Sequence, residues 1–480
     1  MVRCKETLLA LWLVCAAALG ARAQGSYVPQ GSSSAPSSGA QSGPLTPPVY
    51  SGSVPSGTAT AETISLSLRA AIALGLKQNL GAVLAGYGVG GARGEKWREL
   101  STLLPNANAQ LSETASQVDL AALGFTGFGF PNSVGPFGYT SLRGAVSQTF
   151  FDWSQINRVR SASASLQAAK FSYQDARDLV VLAVGNAYLQ SVAGASRVEA
   201  AEAEQATAQT LYDLARDQLK AGLAPSIDVL RAQVELETRR QQAITARNDF
   251  AKEKLQLGRA IGLPTGQAFT LADKALYEPM EQWTLEQALD RAYATRPDYQ
   301  SARAGLRAAQ RAHDAAAAEY LPTLNFNGDY GVVGVNFAQS HSVFDASIAL
   351  NVPIFQGNRV HGDVLVAQAA LDQARAQVEN LRGQIDYDVR AAFLDLTSTG
   401  ERVAVARSNL ELANETLAQS QDRFRAGVTN NVEVVQAQDA VASANESYIT
   451  SLYAYDLAKI SLARAVGNAE VGIQEYLKGK

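Results

Sequence analysis

Residue types that usually carry chemistry are scarce in this 480-residue chain. Its three histidines are His313, His341 and His361. None stands at an i, i+4 spacing from a second ligand, the arrangement that puts two donors on one helix face. There is no Ser-His-Asp order and no phosphate-cradling glycine loop ahead of a helix. The glycines from Gly81 to Gly94 interrupt a helical stretch and do not follow a strand, so they are not a dinucleotide turn. Both cysteines, Cys4 and Cys15, lie at the extreme N-terminus, which leaves the rest without a disulfide or a thiolate metal site. We therefore expect no enzyme activity and no cofactor. Two acids, Asp228 and Glu433, each stand in the first turn of a return helix, where acid gains about 0.3–1 kcal/mol from the helix dipole.

The elements that position these acids occur twice. Leu104-Pro105 matches Leu321-Pro322, and Ala221-Gly222 matches Ala426-Gly427. Leu257-Gly258-Arg259-Ala260-Ile261-Gly262 matches Leu462-Ala463-Arg464-Ala465-Val466-Gly467. A duplicated unit of this size is an architecture and governs how single residues are read. Each copy reads as helix, two strands, a very long helix and a return helix. The first spans 64–262 and the second 283–467, with a linker at 263–282 and a tail at 468–480.

Ahead of the copies, Arg3, Lys5 and the apolar run from Leu8 to Leu19 lead to Ala21-Arg22-Ala23. This is the pattern of a secretory signal over 1–23, the alternative being a retained anchor. Residues 24–60 are rich in Ser, Gly and Pro and read as disordered. The formal net charge of -4 gives no basic surface for nucleic acid.

Helical spacing of Leu66, Ala70, Ala73 and Leu76 predicts one helix from Ser65 to about Leu103, ended by Pro105. Strands follow at 106–118 and 139–150, with an aromatic, glycine-rich loop over Gly124–Pro131 between them. The second copy gives strands at 323–336 and 342–352. These alternate strictly. Leu324, Phe326, Tyr330 and Val332 oppose Asn325, Asn327 and Asp329, while Phe344, Ala346, Ile348 and Leu350 oppose Asp345, Ser347 and Asn351. Amphipathic strands in a soluble sandwich would alternate too, but these are as long as tilted membrane strands, about 9–11 residues. Four strands cannot close a water-filled barrel, so a barrel needs several chains. The long helices, 154–221 and 357–426, contain no proline and would each reach about 100 Å. Seams such as Ala162, Leu166, Ala169, Tyr173, Ala176, Val180 and Val364, Ala367, Leu371, Ala374, Val378 are coiled-coil patterns. Each helix stops at a glycine, Gly222 or Gly427, and turns back.

This organisation resembles the TolC-like outer-membrane efflux proteins over residues 64–467. The markers are the two Leu-Pro pairs, the corners Gln148–Trp153 and Val352–Gly357, and the Ala-Gly tips followed by Ile227-Asp228-Val229-Leu230 and Val432-Glu433-Val434-Val435. The resemblance implies a mainly α chain with a membrane β-barrel. Three chains would give four strands each to a 12-stranded outer-membrane barrel, continued by a periplasmic coiled-coil tunnel. It implies a passive exit duct of a tripartite efflux or type I secretion system. The partners would be a periplasmic adaptor, an inner-membrane pump of RND or ABC type, and outer-membrane lipid. The family narrows its tunnel at positions matching Asp228, Glu433 and Gln436. Its locking aromatic and basic positions are Phe424 and Thr429 here, without a hydroxyl and without a charge. Gly222 and Gly427 mark the adaptor-contact tips. Leu324, Phe326, Tyr330, Val332, Phe344, Ile348 and Leu350 would face lipid. The rival reading, a periplasmic coiled-coil scaffold or adhesin-like stalk, explains the helices and the signal but not the strands at matching places.

Overall fold

The computed structural model describes residues 48–124, 131–273, 284–429, 431–467, 469, 470 and 472. The signal segment, most of the Gly124–Pro131 loop, part of the 263–282 linker and most of the tail lie outside them. Strand β1 (Ile64–Leu66) leads into α1 (Leu68–Gln78), α2 (Leu80–Ser101), β2 (Asn106–Asp119) and β3 (Ser133–Phe151). The long helix α3 (Trp153–Lys220) and its return α4 (Ser226–Ile261) follow, then β4 (Phe269–Leu271). The same order then runs again as α5 (Leu285–Thr295), α6 (Pro297–Ala317), β5 (Thr323–Gly334), β6 (His341–Asn351), α7 (Arg359–Arg425) and α8 (Asn431–Ala465).

The structure differs from the sequence reading at the first helix. It is broken at Asn79, whose backbone is extended at ψ 134°. The reason is a buried amide: Asn79 Nδ2 donates to the carbonyls of Tyr50 (2.7 Å) and Ala260 (3.1 Å), and Oδ1 caps Gly81 N–H. An asparagine cap satisfies a donor that a continuing helix would not free. The glycines beyond it stay helical, and the ring of Tyr50 occupies the space a side chain at Gly81 would need. Arg296 makes the equivalent break between α5 and α6, forced by Pro297. Residues 48–60 also differ from expectation. They form an ordered strap in which Val54 N–H donates to Gln78 O (2.8 Å), Leu80 N–H to Gly52 O (3.0 Å) and Thr60 N–H to Gln267 Oε1 (2.8 Å).

Both proline-marked strand starts are real, β2 opening right after Pro105 and β5 right after Pro322. The four long strands form one antiparallel sheet in the order β2-β3-β5-β6, with β2 and β6 as edges unpaired among the described residues. Register places Leu142 beside Val332, Tyr330 beside Phe344, Phe326 beside Ile348 and Leu324 beside Leu350. Leu324, Phe326, Tyr330, Val332, Phe344, Ile348 and Leu350 therefore share one face, together with the acid Glu113. The opposite face carries Asn106, Asn108, Gln110, Ser141, Arg143, Asn325, Asn327, Asp329, Asp345 and Ser347.

Two apolar cores hold the helices. Val180, Val184, Leu257 and Ile261 anchor one, and Ile385, Val389, Leu462 and Val466 anchor the other at corresponding places. The seam positions of α3 and α7 are buried or half-buried, with Leu166, Val180, Leu371, Val378 and Ile385 among the most enclosed. One stretch of α3 is apolar enough to span a bilayer, but 56 % of it is buried inside the fold, so packing accounts for it.

Candidate functional site

The tips are built by the chain's local chemistry. Gly222 (φ +72°) and Gly427 (φ +69°) adopt the left-handed conformation that ends a helix without a Cβ clash. Gly222 N–H donates to Leu219 O (3.0 Å) and Leu223 N–H to Gln218 O (2.9 Å). In the second copy Gly427 N–H donates to Phe424 O and Val428 N–H to Arg423 O, both at 3.0 Å. This double bond pattern satisfies carbonyls the helix leaves open and reverses the chain within a few residues. It also leaves Leu223 and Val428 projecting into solvent.

The return helices then bring the acids together. Asp228 is 7 % exposed, and Arg231 Nη1 lies 3.6 Å from its carboxylate. Its backbone carbonyl accepts from Asn431 Nδ2 at 3.0 Å, which ties the first tip to the second. Glu433 stands two residues further along α8. Arg423 Nη1 donates to it at 2.9 Å, and the Thr429 hydroxyl donates to its other oxygen. Gln436 is exposed one turn on. Asp228, Glu433 and Gln436 are thus grouped at one end of the molecule. Phe424 is not among the exposed ones: at 4 % exposure it packs against Leu211 and Val434, joining the two hairpins. Thr429 thus supplies a neutral donor to Glu433.

The sequence reading missed Arg423 and Asn431. Arg423 had a signal, a base in the last helical turn where it faces the incoming acid across the turn. Asn431 had none, because its partner is a backbone carbonyl 203 positions away. It also missed a buried junction higher up. Arg239 Nε donates to Glu235 (2.6 Å), Nη1 lies 3.5 Å from Glu204, and Nη2 pairs with Asp439, binding α4 to α3 and α8. Burial pushes the Glu204 carboxyl up, although Asn445 and Arg239 work against it. Among the described residues no three His, Cys, Asp or Glu side chains converge as metal ligands do.

Two long helical hairpins whose glycine-capped tips meet, with a four-stranded sheet at the start of each long helix, is a specific combination. The profile of the outer membrane efflux protein family matches residues 100–263 and 288–468. The chain belongs to the outer membrane efflux protein family. It is a TolC-like outer-membrane channel protein that extends into the periplasm, and its family is one of channels, not enzymes. It is similar to protein CyaE of Bordetella pertussis, 27 % identical over 65 % of this chain and 67 % of that one. The alkaline protease secretion protein AprF of Pseudomonas aeruginosa is 20 % identical over 65 % of this chain and 66 % of its own length. The fold matches the outer membrane protein VceC of Vibrio cholerae with a TM-score of 0.72 and 18 % identity, covering 83 % of this chain and 96 % of that one.

Proposed function

We propose that three copies assemble into one outer-membrane channel-tunnel, a passive exit duct for a tripartite efflux or type I secretion system that is gated at its periplasmic tips. The observation that carries this is the sheet. It has four strands, two unpaired edges and an apolar face on which Tyr330, Phe344, Ile348 and Leu350 stand largely exposed. In lipid every backbone group needs a partner, so open edges must close against another copy. Three copies give twelve strands, enough to enclose water. Leu324, Phe326, Tyr330, Val332, Phe344, Ile348 and Leu350 then face lipid. Ile354 (96 % exposed) and Phe355 (83 %) at the strand-to-helix corner fit the same assembly.

In this reading the two matching cores support a duplicated chain, copies 64–262 and 283–467 joined near the tunnel equator, secreted by a signal at 1–23. Asp228, Glu433 and Gln436 from three copies surround the tunnel axis. The exposed Leu223 and Val428 beside Gly222 and Gly427 offer an adaptor its contacts. Energy comes from an inner-membrane pump of RND or ABC type, since the family is one of ducts.

The chain has no cysteine after Cys15, which allows a direct test. Cysteines are placed at Leu223 and Val428 and joined by a thiol cross-linker in cells. Export is expected to stop and to return on release of a cleavable linker. Undiminished export with tips fully cross-linked would overturn tip gating.

A further inference from the structure

The polar face of the sheet carries its charge in one narrow belt. Over 106–116 on β2 it presents Asn106, Asn108, Gln110, Ser112, Thr114 and Ser116, all neutral. On β3, β5 and β6 the ionised side chains of that face are Arg143, Asp329 and Asp345. They are neighbours. Asp329 and Asp345 stand directly opposite each other in register, and Ala145 is the next residue across, two positions from Arg143. Arg143 Nη1 reaches diagonally to Asp329 at 3.1 Å, and its Nε donates to Ser141 Oγ at 3.3 Å. The base is thus committed to one acid, and among the described residues Asp345 has no ion-pair partner. Like charges placed directly opposite across strands are destabilising, so this sheet carries a cost that packing does not explain.

We infer that Asp345 sets the charge preference of the open pore, with Arg143 cancelling Asp329 so that each chain contributes one net negative charge at this level. The inference rests on the trimeric barrel proposed above, in which the polar face lines the lumen. A ring of acidic side chains raises the local concentration of cations and depletes anions. This belt is separate from the tip acids. The tips dominate while they are closed; the barrel belt governs what passes once they are open. Its reach is short, because screening confines an exposed charge to about 10 Å at 0.1 M salt and about 3 Å at 1 M. The preference must therefore be weak at high salt and grow on dilution.

The test uses the full chain in planar bilayers, in an Asp228→Ala, Glu433→Ala background that removes the tip acids. The reversal potential is read across a KCl gradient. Asp345→Asn is expected to move it toward zero, and Arg143→Gln, which frees Asp329, to move it away from zero in the cation-selective direction. Both shifts should shrink at high salt, and an unchanged single-channel conductance at high salt shows that the barrel has formed. Opposite signs cannot come from general damage to the sheet. A conducting pore whose reversal potential ignores both changes, or moves the same way in both, overturns the belt and leaves the channel standing. No conductance in any variant or in the parent overturns the channel reading and the belt with it.

Discussion

The two halves of this chain meet the same structural demands with different chemistry. At the break between the two short helices, the first half uses a buried neutral amide, Asn79, and the second a buried charge, Arg296. Arg296 is held by Asp298 (Nη2–Oδ2 2.6 Å) and Asp388 (Nη1–Oδ2 2.9 Å). A glycine lies against each break. A Cβ on Gly262 would meet the side chain of Gln78, and one on Gly467 would come within 2.7 Å of the Arg296 backbone. The start of the long helix differs too. Asp152 caps α3 through Gln155 N–H (3.0 Å), whereas α7 begins at Asn358, left-handed at φ +61° and without a side-chain cap. Backbone geometry is what the fold imposes; the side chains that satisfy it are free to diverge. The consequence is that the helix break of the first half rests on neutral hydrogen bonds and that of the second on an ion pair.

The largest expected effect breaks the charged junction. Arg296→Ala leaves Asp388 without its partner and Asp298 with only the more distant Arg464 (4.0 Å), and removing one partner of a buried pair costs about 3–5 kcal/mol. Asn79→Ala removes neutral hydrogen bonds instead, at about 1–3 kcal/mol for the groups left unpaired. Denaturant unfolding of the two variants should rank them in that order; equal losses would remove the distinction between the halves. Next comes Gly467→Ala, which should destabilise more than Gly262→Ala. Both have positive φ, but the first meets backbone and the second meets a side chain that can swing away. Smaller and equal losses of about 1–2 kcal/mol each are expected for Gly222→Ala and Gly427→Ala. At the tips the two halves share one geometry, and among the described residues a Cβ added to either glycine would meet nothing within 4 Å.

The smallest effect is a pH dependence where the halves touch. Burial pushes the Asp178 carboxyl up to about 6 from 3.8, partly offset by Arg464 and the Glu470 N–H. Its proton is bound more tightly when folded. This group therefore adds stability as pH falls from about 6 toward 3.8 and subtracts it again on the way up. Asp298 runs the other way, held below the usual range: burial raises it, but the Arg296 guanidinium overcomes that. Its contribution is present above the unfolded carboxylate range and is lost as pH falls through its lowered folded value. Asp178→Asn should flatten the first slope alone, read as thermal midpoints across pH 4 to 7 at about half-unit steps.

Much of this was legible in the sequence, for identifiable reasons. The alternation Leu324–Val332 announces a two-faced strand because side chains in a strand can point only two ways. Pro105 and Pro322 mark strand starts because proline cannot continue a helix. Gly222 and Gly427 mark tips because few other residues take a left-handed turn cheaply. What stayed hidden depends on distant partners. The break at Asn79 needs Ala260 and Tyr50, and composition makes 48–60 read as disordered although Gln78 and Gln267 fasten it. Phe424 was grouped with the constriction because the resemblance matches it to the family's locking aromatic. Its burial against Leu211 and Val434 depends on how two hairpins meet, which no local pattern reveals. Asp228 and Glu433 were picked out because the resemblance matches them to the family's constriction, yet their partners Asn431 and Arg423 emerge only once the tips are folded together.

A conduit closed by its tips is tested most directly by single-channel recording of the purified chain in planar bilayers beside its Asp228→Ala, Glu433→Ala variant. A small, cation-selective conductance that grows in the variant is the predicted result. Silence from both, with protein that leaves the membrane fraction as a soluble species, would contradict the claim and favour a periplasmic scaffold.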